Sequence, residues 1–202
     1  MIKHFRHRGI DKKKWDEAIA NSANGMIYAY SWYLDIACPD WEALIENDYE
    51  FVMPLTKRKK YGVNYLFPPF FTQQLGVFSR NQISEEKLKE FLNLIPEGIK
   101  FIEINLNTQN TVFSGNFSVK QNLTYELDLS AAYEEMYKSY SDNAKRNLKK
   151  AEKNNLIFSN SIPADEVMKM FRQNRGKEIS SLKERDYETL KALMKADRKS
   201  VV

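Results

Sequence analysis

One cysteine, seven glycines and six prolines in 202 residues exclude several kinds of protein at the outset. Cys38 has no partner in the chain, so a disulfide framework is excluded and a reducing, cytoplasmic location is the expectation. The scarcity of glycine and proline leaves no low-complexity linker. No run approaches the roughly 18 uninterrupted apolar residues that a membrane span needs. The N-terminal Met1 to Arg8 is basic and leads into Asp11-Lys12-Lys13-Lys14, without the apolar core of a secretory signal. The two histidines, His4 and His7, have no neighbouring carboxylate or thiol cluster, so no metal site is expected. A nucleophilic serine elbow of the Gly-x-Ser-x-Gly type is absent too.

What remains is ample for a core: 43% of residues are hydrophobic, 13% are aromatic and 29% are charged. The net charge of +4 is unevenly spread. Residues 1–140 hold 16 Lys and Arg against 18 Asp and Glu, whereas residues 141–202 hold 15 against 9. The basic character therefore belongs to the C-terminal third, and its sign favours phosphate-bearing or otherwise anionic partners.

Asp11 is placed to cap a helix with Trp15, Ala18 and Ile19 inward, ending near Asn24-Gly25. Tyr30, Tyr33, Leu34 and Ala37 have helical spacing before Pro39. Residues 41–46 and 49–56 read as strands around an Asn47-Asp48 hairpin turn, followed by a polar turn over Lys57 to Gly62. Residues 63–67 and 72–78 are further extended runs, and Ser84 caps a helix carrying Leu88, Phe91, Leu92 and Ile95. Lys100 to Asn107 is the clearest strand, with Ile102, Ile104 and Leu106 alternating against Phe101, Glu103, Asn105 and Asn107.

Leu123 to Leu129 reads as the next strand, and a helix follows with Tyr133, Met136, Tyr137 and Tyr140 inward. The basic helix over residues 141–155 comes next. Lys145, Arg146, Lys149, Lys150 and Lys153 share an arc of roughly 140°, opposite a stripe of Ala144, Leu148 and Ala151. A short strand over 156–161 and two helices complete the pattern. One begins at Pro163 with Val167, Met170, Phe171 and Asn174 along one side, and Asp186 caps the other. Hairpin-linked strands with segregated helices predict an α+β domain rather than a doubly wound one.

This order of elements resembles the GNAT (acyl-CoA N-acyltransferase) fold. The likeness to the FemAB-like acyltransferases rests on Met53-Pro54-Leu55 through Lys59-Lys60-Tyr61-Gly62 and on Tyr65-Leu66-Phe67-Pro68-Pro69-Phe70-Phe71-Thr72-Gln73-Gln74-Leu75-Gly76. It also rests on Ile104-Asn105-Leu106-Asn107, on Leu127-Asp128-Leu129, and on the run from Tyr140 and Ser141 through Lys145-Arg146-Asn147-Leu148 to Lys150-Ala151. That group includes bacterial enzymes that add amino acids to peptidoglycan precursors. The resemblance implies a mixed sheet with flanking helices over residues 1–130. Residues 131–202 then hold linker helices and the opening elements of a second, incomplete GNAT-like domain. It implies acyl or aminoacyl transfer to an amine, with acyl-CoA or an aminoacyl-tRNA as donor and a small molecule or peptidoglycan precursor as acceptor.

No cofactor is expected to be held by this chain. Gly-x-Gly and Gly-x-Ala turns, which bring phosphate onto backbone amides, are absent, and Gln173-Asn174-Arg175-Gly176 reads better as a helix exit. The five cations of the basic helix suit phosphates of a nucleotide-linked substrate or of a tRNA, and equally a solvated face. Glu103, Asn105 and Asn107, joined by Gln73 and Gln74, are the candidate substrate-facing row. Amides there orient a peptide or amine, and Glu103 can accept a proton from an attacking amine. No catalytic nucleophile is assigned. The other reading of the whole chain is a non-catalytic module that holds an anionic ligand or partner through the basic helix.

Overall fold

The computed structural model describes residues 1–111, 117–159 and 161–200. Among them the chain is mixed α and β, with seven α-helices and two small sheets. It forms two compact units, residues 1–115 with 164–202, and residues 116–163. The division expected near residue 130 thus differs from the observed one. The last two helices belong with the N-terminal unit.

In the larger unit, the first sheet has the order β1 (Ile2–Phe5), β2 (Glu42–Glu46), β3 (Phe51–Leu55) and β6 (Phe78–Ser79), all antiparallel. The other strands are β4 (Lys57–Lys60), β5 (Val63–Leu66) and β7 (Ile99–Ile102). They form the second sheet in the order β4-β5-β7, with β5 parallel to β7. The intervening helices are α1 (Lys12–Asn21), α2 (Ser31–Ala37) and α3 (Glu85–Asn93).

The central strands are buried on both faces, and the alternation along them distributes side chains to two cores. Leu44, Met53 and Leu55 pack with Leu88 and Phe91 of α3, while Ala43, Ile45 and Val52 pack with Trp15, Ile19 and Leu34 of α1 and α2. Helices α1 and α3 begin where a side chain can take their free amides. Asp11 accepts from Lys13 and Lys14 at 3.0 and 3.1 Å, and Ser84 accepts from Lys87 at 3.2 Å. Asp35 on α2 ties three elements together, accepting from His7 Nε2 at 2.9 Å, Lys12 Nζ at 2.6 Å and Trp41 Nε1 at 3.0 Å.

The C-terminal helices of this unit are α6 (Ala164–Gln173) and α7 (Glu184–Ser200), counting after two helices of the smaller unit, α4 (Tyr133–Ser139) and α5 (Asp142–Lys153). Leu193 of α7 packs with Tyr33 and Ala37 of α2, which brings the first turn of α7 to the end of α2. Arg172 stacks over Tyr187 at 4.1 Å, and Met168 rather than Met170 is the buried methionine of α6.

Several expectations change. Lys57–Lys60 is a strand instead of a turn, and the reversal falls at Tyr61-Gly62, whose φ values are +51° and +82°. The strand expected over 100–107 ends at Ile102, although Leu106 still bridges Leu75 in parallel fashion. Beyond Ile102 the chain turns inward: Gly76, at φ +109°, lies so close to Asn110 that a Cβ would meet Asn110 Oδ1 at 2.2 Å. Two sheets, rather than one mixed sheet, form among the described residues.

In the smaller unit, α5 runs as expected, its Ser141 accepting from Ala144 at 3.2 Å. The strands expected over 123–129 and 156–161 are absent among the described residues, and Asn160 lies outside them. Leu123 and Tyr125 are 87% and 92% exposed. A strand is stable only against a neighbour, and alternation alone supplies none. Tyr133, Tyr137 and Tyr140 pack on one another at 5.8 to 6.4 Å rather than into a core. No helix among the described residues is long and apolar enough to cross a membrane.

Candidate functional site

The turn after α2, the hairpin β4–β5 and the first turn of α7 enclose a cleft of about 630 Å³ in the larger unit. Its size matches the range of ligand pockets. The β4 strand contributes Lys57, Arg58 and Lys59, and α7 contributes Arg185. Asp40 and Asp186 are the acidic side chains of the wall, and Tyr65 and Phe70 supply its aromatic surface.

Two of these charges are spent within the protein. Lys57 Nζ pairs with Glu42, a buried side chain of β2 that also accepts from His4 Nε2 at 2.8 Å. Burial alone pushes the Glu42 carboxyl up, but hydrogen bonds from Lys57 and His4 outweigh it and hold the group below the ordinary carboxylate range. Asp186 is the third residue of α7 rather than the residue that precedes it, and its Oδ2 accepts from the Lys183 backbone amide at 2.7 Å. Arg58, Lys59 and Arg185 therefore leave the cleft cationic.

Cys38 also lines the wall, 4% exposed. Burial pushes its thiol up to about 11, against the opposing pull of the Arg58 guanidinium. The group is thus a neutral thiol near neutral pH. That agrees with its reading as a small apolar residue rather than a nucleophile.

The predicted substrate row divides. Gln74, Glu103 and Asn105 line one small cavity with Thr72 and Leu75, of about 10 Å³, the size of one water. The Thr72 hydroxyl there lies against the Tyr33 phenol without an ordinary hydrogen bond. Gln73 is exposed and does not line that cavity. Asn107 is buried, and its amide donates to Leu75 O at 2.9 Å while its oxygen accepts from the Gln109 backbone and from Asn24 and Asn110. Its side chain holds the loop around Gly76 and Val77, so it faces the interior and not a substrate. The alternation of the strand places residue 107 outward only if the strand continues, and it does not.

On α5, Arg146, Lys149, Lys150 and Lys153 are exposed and Lys145 is half-buried. No ion pair among the described residues involves any of the five. Lys145 donates to Lys138 O at 3.0 Å and sits 5.6 Å from the Tyr137 ring centre. The stripe expected to dock is weak: Leu148 is 36% exposed and α5 buries no residue.

Gly176 lies in a short 3-10 turn after α6, where a Cβ would meet the Tyr187 hydroxyl at 2.9 Å and Phe171 O at 3.0 Å. Close packing explains that glycine without a phosphate. No group of three or more His, Cys, Asp or Glu among the described residues is arranged to hold a metal.

The sequence reading treated Lys57 to Lys60 as an ordinary charged turn and missed the cleft. The run of four cations is the local signal, although strand alternation separates Arg58 from Lys57 and Lys59. That α7 brings Arg185 to the same cleft has no local signature. Comparison of the chain with protein-family models, with curated proteins and with solved structures finds no match.

Proposed function

We propose that this chain binds a phosphate-bearing or similarly anionic ligand in the cleft between β4 and α7. The observation that carries the reading is that Arg58, Lys59 and Arg185 line one space of about 630 Å³ with an aromatic wall. Guanidinium groups suit phosphate because their planar donors match its oxygens in pairs. The first turn of α7 adds the positive end of a helix dipole, although Asp186 offsets part of it.

Thermal shift and calorimetric titration with coenzyme A and with a nucleoside diphosphate test the reading. A ligand at a hundred times its Kd stabilises the folded state by about 2.7 kcal/mol. The expected outcome is a raised melting point that R58A and R185A each reduce and that added salt weakens. A melting point that neither ligand moves, or a shift the two variants leave intact, refutes it.

The second reading, acyl transfer to an amine in a GNAT-like, FemAB-like domain, is favoured by Gln74, Glu103 and Asn105 sharing one cavity. In that reaction the amine nitrogen attacks the acyl carbonyl carbon and the bond to the thiolate or ribose oxygen breaks. Exposed Glu103 accepts the ammonium proton. The amides of Gln74 and Asn105 orient the reactants. The water-sized cavity must widen on binding to admit them, which an apo and ligand-bound comparison by hydrogen exchange at Gln74 and Asn105 detects. The five cations of α5 suit the repeated phosphates of a tRNA. Alanine at Lys149, Lys150 and Lys153 is expected to remove salt-sensitive tRNA binding and to leave the cleft titration unchanged.

A further inference from the structure

Two imidazoles lie near the cleft, and one of them is wired to a wall cation. His4 on the edge strand β1 hydrogen-bonds Glu42 Oε2 at 2.8 Å, and the other oxygen of the same carboxylate holds Lys57 Nζ. Glu42 is buried and the charged groups facing it are His4 from β1 and Lys57 from β4. With a neutral imidazole the trio carries no net charge. Glu42 cancels Lys57, and the cleft is deprived of one of its four cations.

We propose that His4 regulates the cleft: its protonation offsets the charge of the Glu42 carboxylate, weakens the hold of that carboxylate on Lys57 and tightens anion binding as pH falls. This rests on the cleft being the anion site. The charge balance sets the direction. A protonated His4 takes the trio from zero to one positive charge, and the imidazolium forms a full ion pair with Glu42, which weakens the hold on Lys57. His4 is about one-third exposed, so its proton equilibrates with solvent without unfolding. The cleft anion sees an ammonium group that was previously neutralised.

His7 is the other imidazole, facing Asp35 at 2.9 Å and Asp40 at 4.0 Å, and Asp40 belongs to the cleft wall. It reaches no cleft cation through a carboxylate. Protonating it partly cancels Asp40, which is 96% exposed and therefore well screened. The Cys38 thiol titrates far above this range.

The test is calorimetric titration with inorganic trimetaphosphate, whose charge is constant across the imidazole range, at about pH 8 and about pH 5.5. One added positive charge acting on this trianion, even at a dielectric close to that of water, is expected to tighten binding roughly tenfold at the lower pH. H4Q, which keeps a donor for Glu42 but cannot take up a proton, is expected to bind as the unaltered protein does at pH 8 and to lose the increase. H7Q is expected to keep it. E42Q releases Lys57 permanently and is expected to bind at pH 8 as tightly as the unaltered protein binds at pH 5.5. Equal binding at the two pH values, or an increase that H4Q retains, overturns this inference while leaving the cleft intact as a site. Absence of binding at either pH, or binding that R58A does not weaken, overturns the cleft reading and the regulation with it.

Discussion

Replacing Asp35 separates a structural carboxylate from its charge. Asp35 accepts from the Trp41 indole, whose side chain is fully buried, and from Lys12 and His7, whose side chains are 42% and 26% exposed. In D35A the indole N–H loses its acceptor inside the core, a cost of about 1–3 kcal/mol. The two exposed partners add up to about 1 kcal/mol between them after solvent screening. The expected loss is about 2–4 kcal/mol.

D35N keeps a carbonyl oxygen for Trp41 and His7 and surrenders only the charged contact with Lys12, so about 1 kcal/mol is expected. Urea unfolding followed by tryptophan fluorescence reads the difference, since Trp41 stacks on Trp15 at 4.7 Å. With slopes of about 1–3 kcal/mol per molar, D35A moves the midpoint by about 1–2 M.

The pH dependence has a definite sign. Burial pushes the Asp35 carboxyl up, yet bonds from Lys12, Trp41 and His7 hold it below the ordinary range. Its contribution is present above the unfolded pKa of about 3.9 and is lost as pH falls through the lower folded value. Equal losses in D35A and D35N, or a loss in D35A below about 1 kcal/mol, refute the account of the buried indole.

G76A forces a Cβ to within 2.2 Å of Asn110 Oδ1 at a positive φ, so the melting point falls by an amount equivalent to about 2–4 kcal/mol. N107A removes the oxygen that accepts from the Gln109 backbone and from the Asn24 and Asn110 side chains, with an expected loss of about 2–3 kcal/mol by the same urea assay. The Cys38 thiol reacts slowly with Ellman's reagent at pH 8 in the native state and fast in urea, because it is buried and its pKa is about 11. R58A slows the native reaction further, since Arg58 is the largest influence lowering that value.

Much of the local architecture could be read from residue order. Asp11 and Ser84 cap helices where their oxygens precede apolar periodicity, and the alternation in β2 and β3 assigns residues to two cores. The strand over 123–129 was misread for a physical reason. Period-two alternation states which face is apolar, but a strand also needs a neighbour to take its backbone groups, and no described residue supplies one. Asn107 was misread because the chain leaves its strand at Ile102, after which alternation no longer reports direction.

Residue types and spacing determined the starts of α1 and α3, the apolar faces, the lone cysteine and the concentration of cations in α5. Only the tertiary structure decided that β4 and Arg185 of α7 line one cleft, and that Glu42 joins His4 to Lys57. Those partners lie 15 to 128 residues apart in the chain, and their meeting depends on α7 packing on α2 and on strand register. Local periodicity carries no information about such distant contacts, because they are fixed by which buried faces fit together.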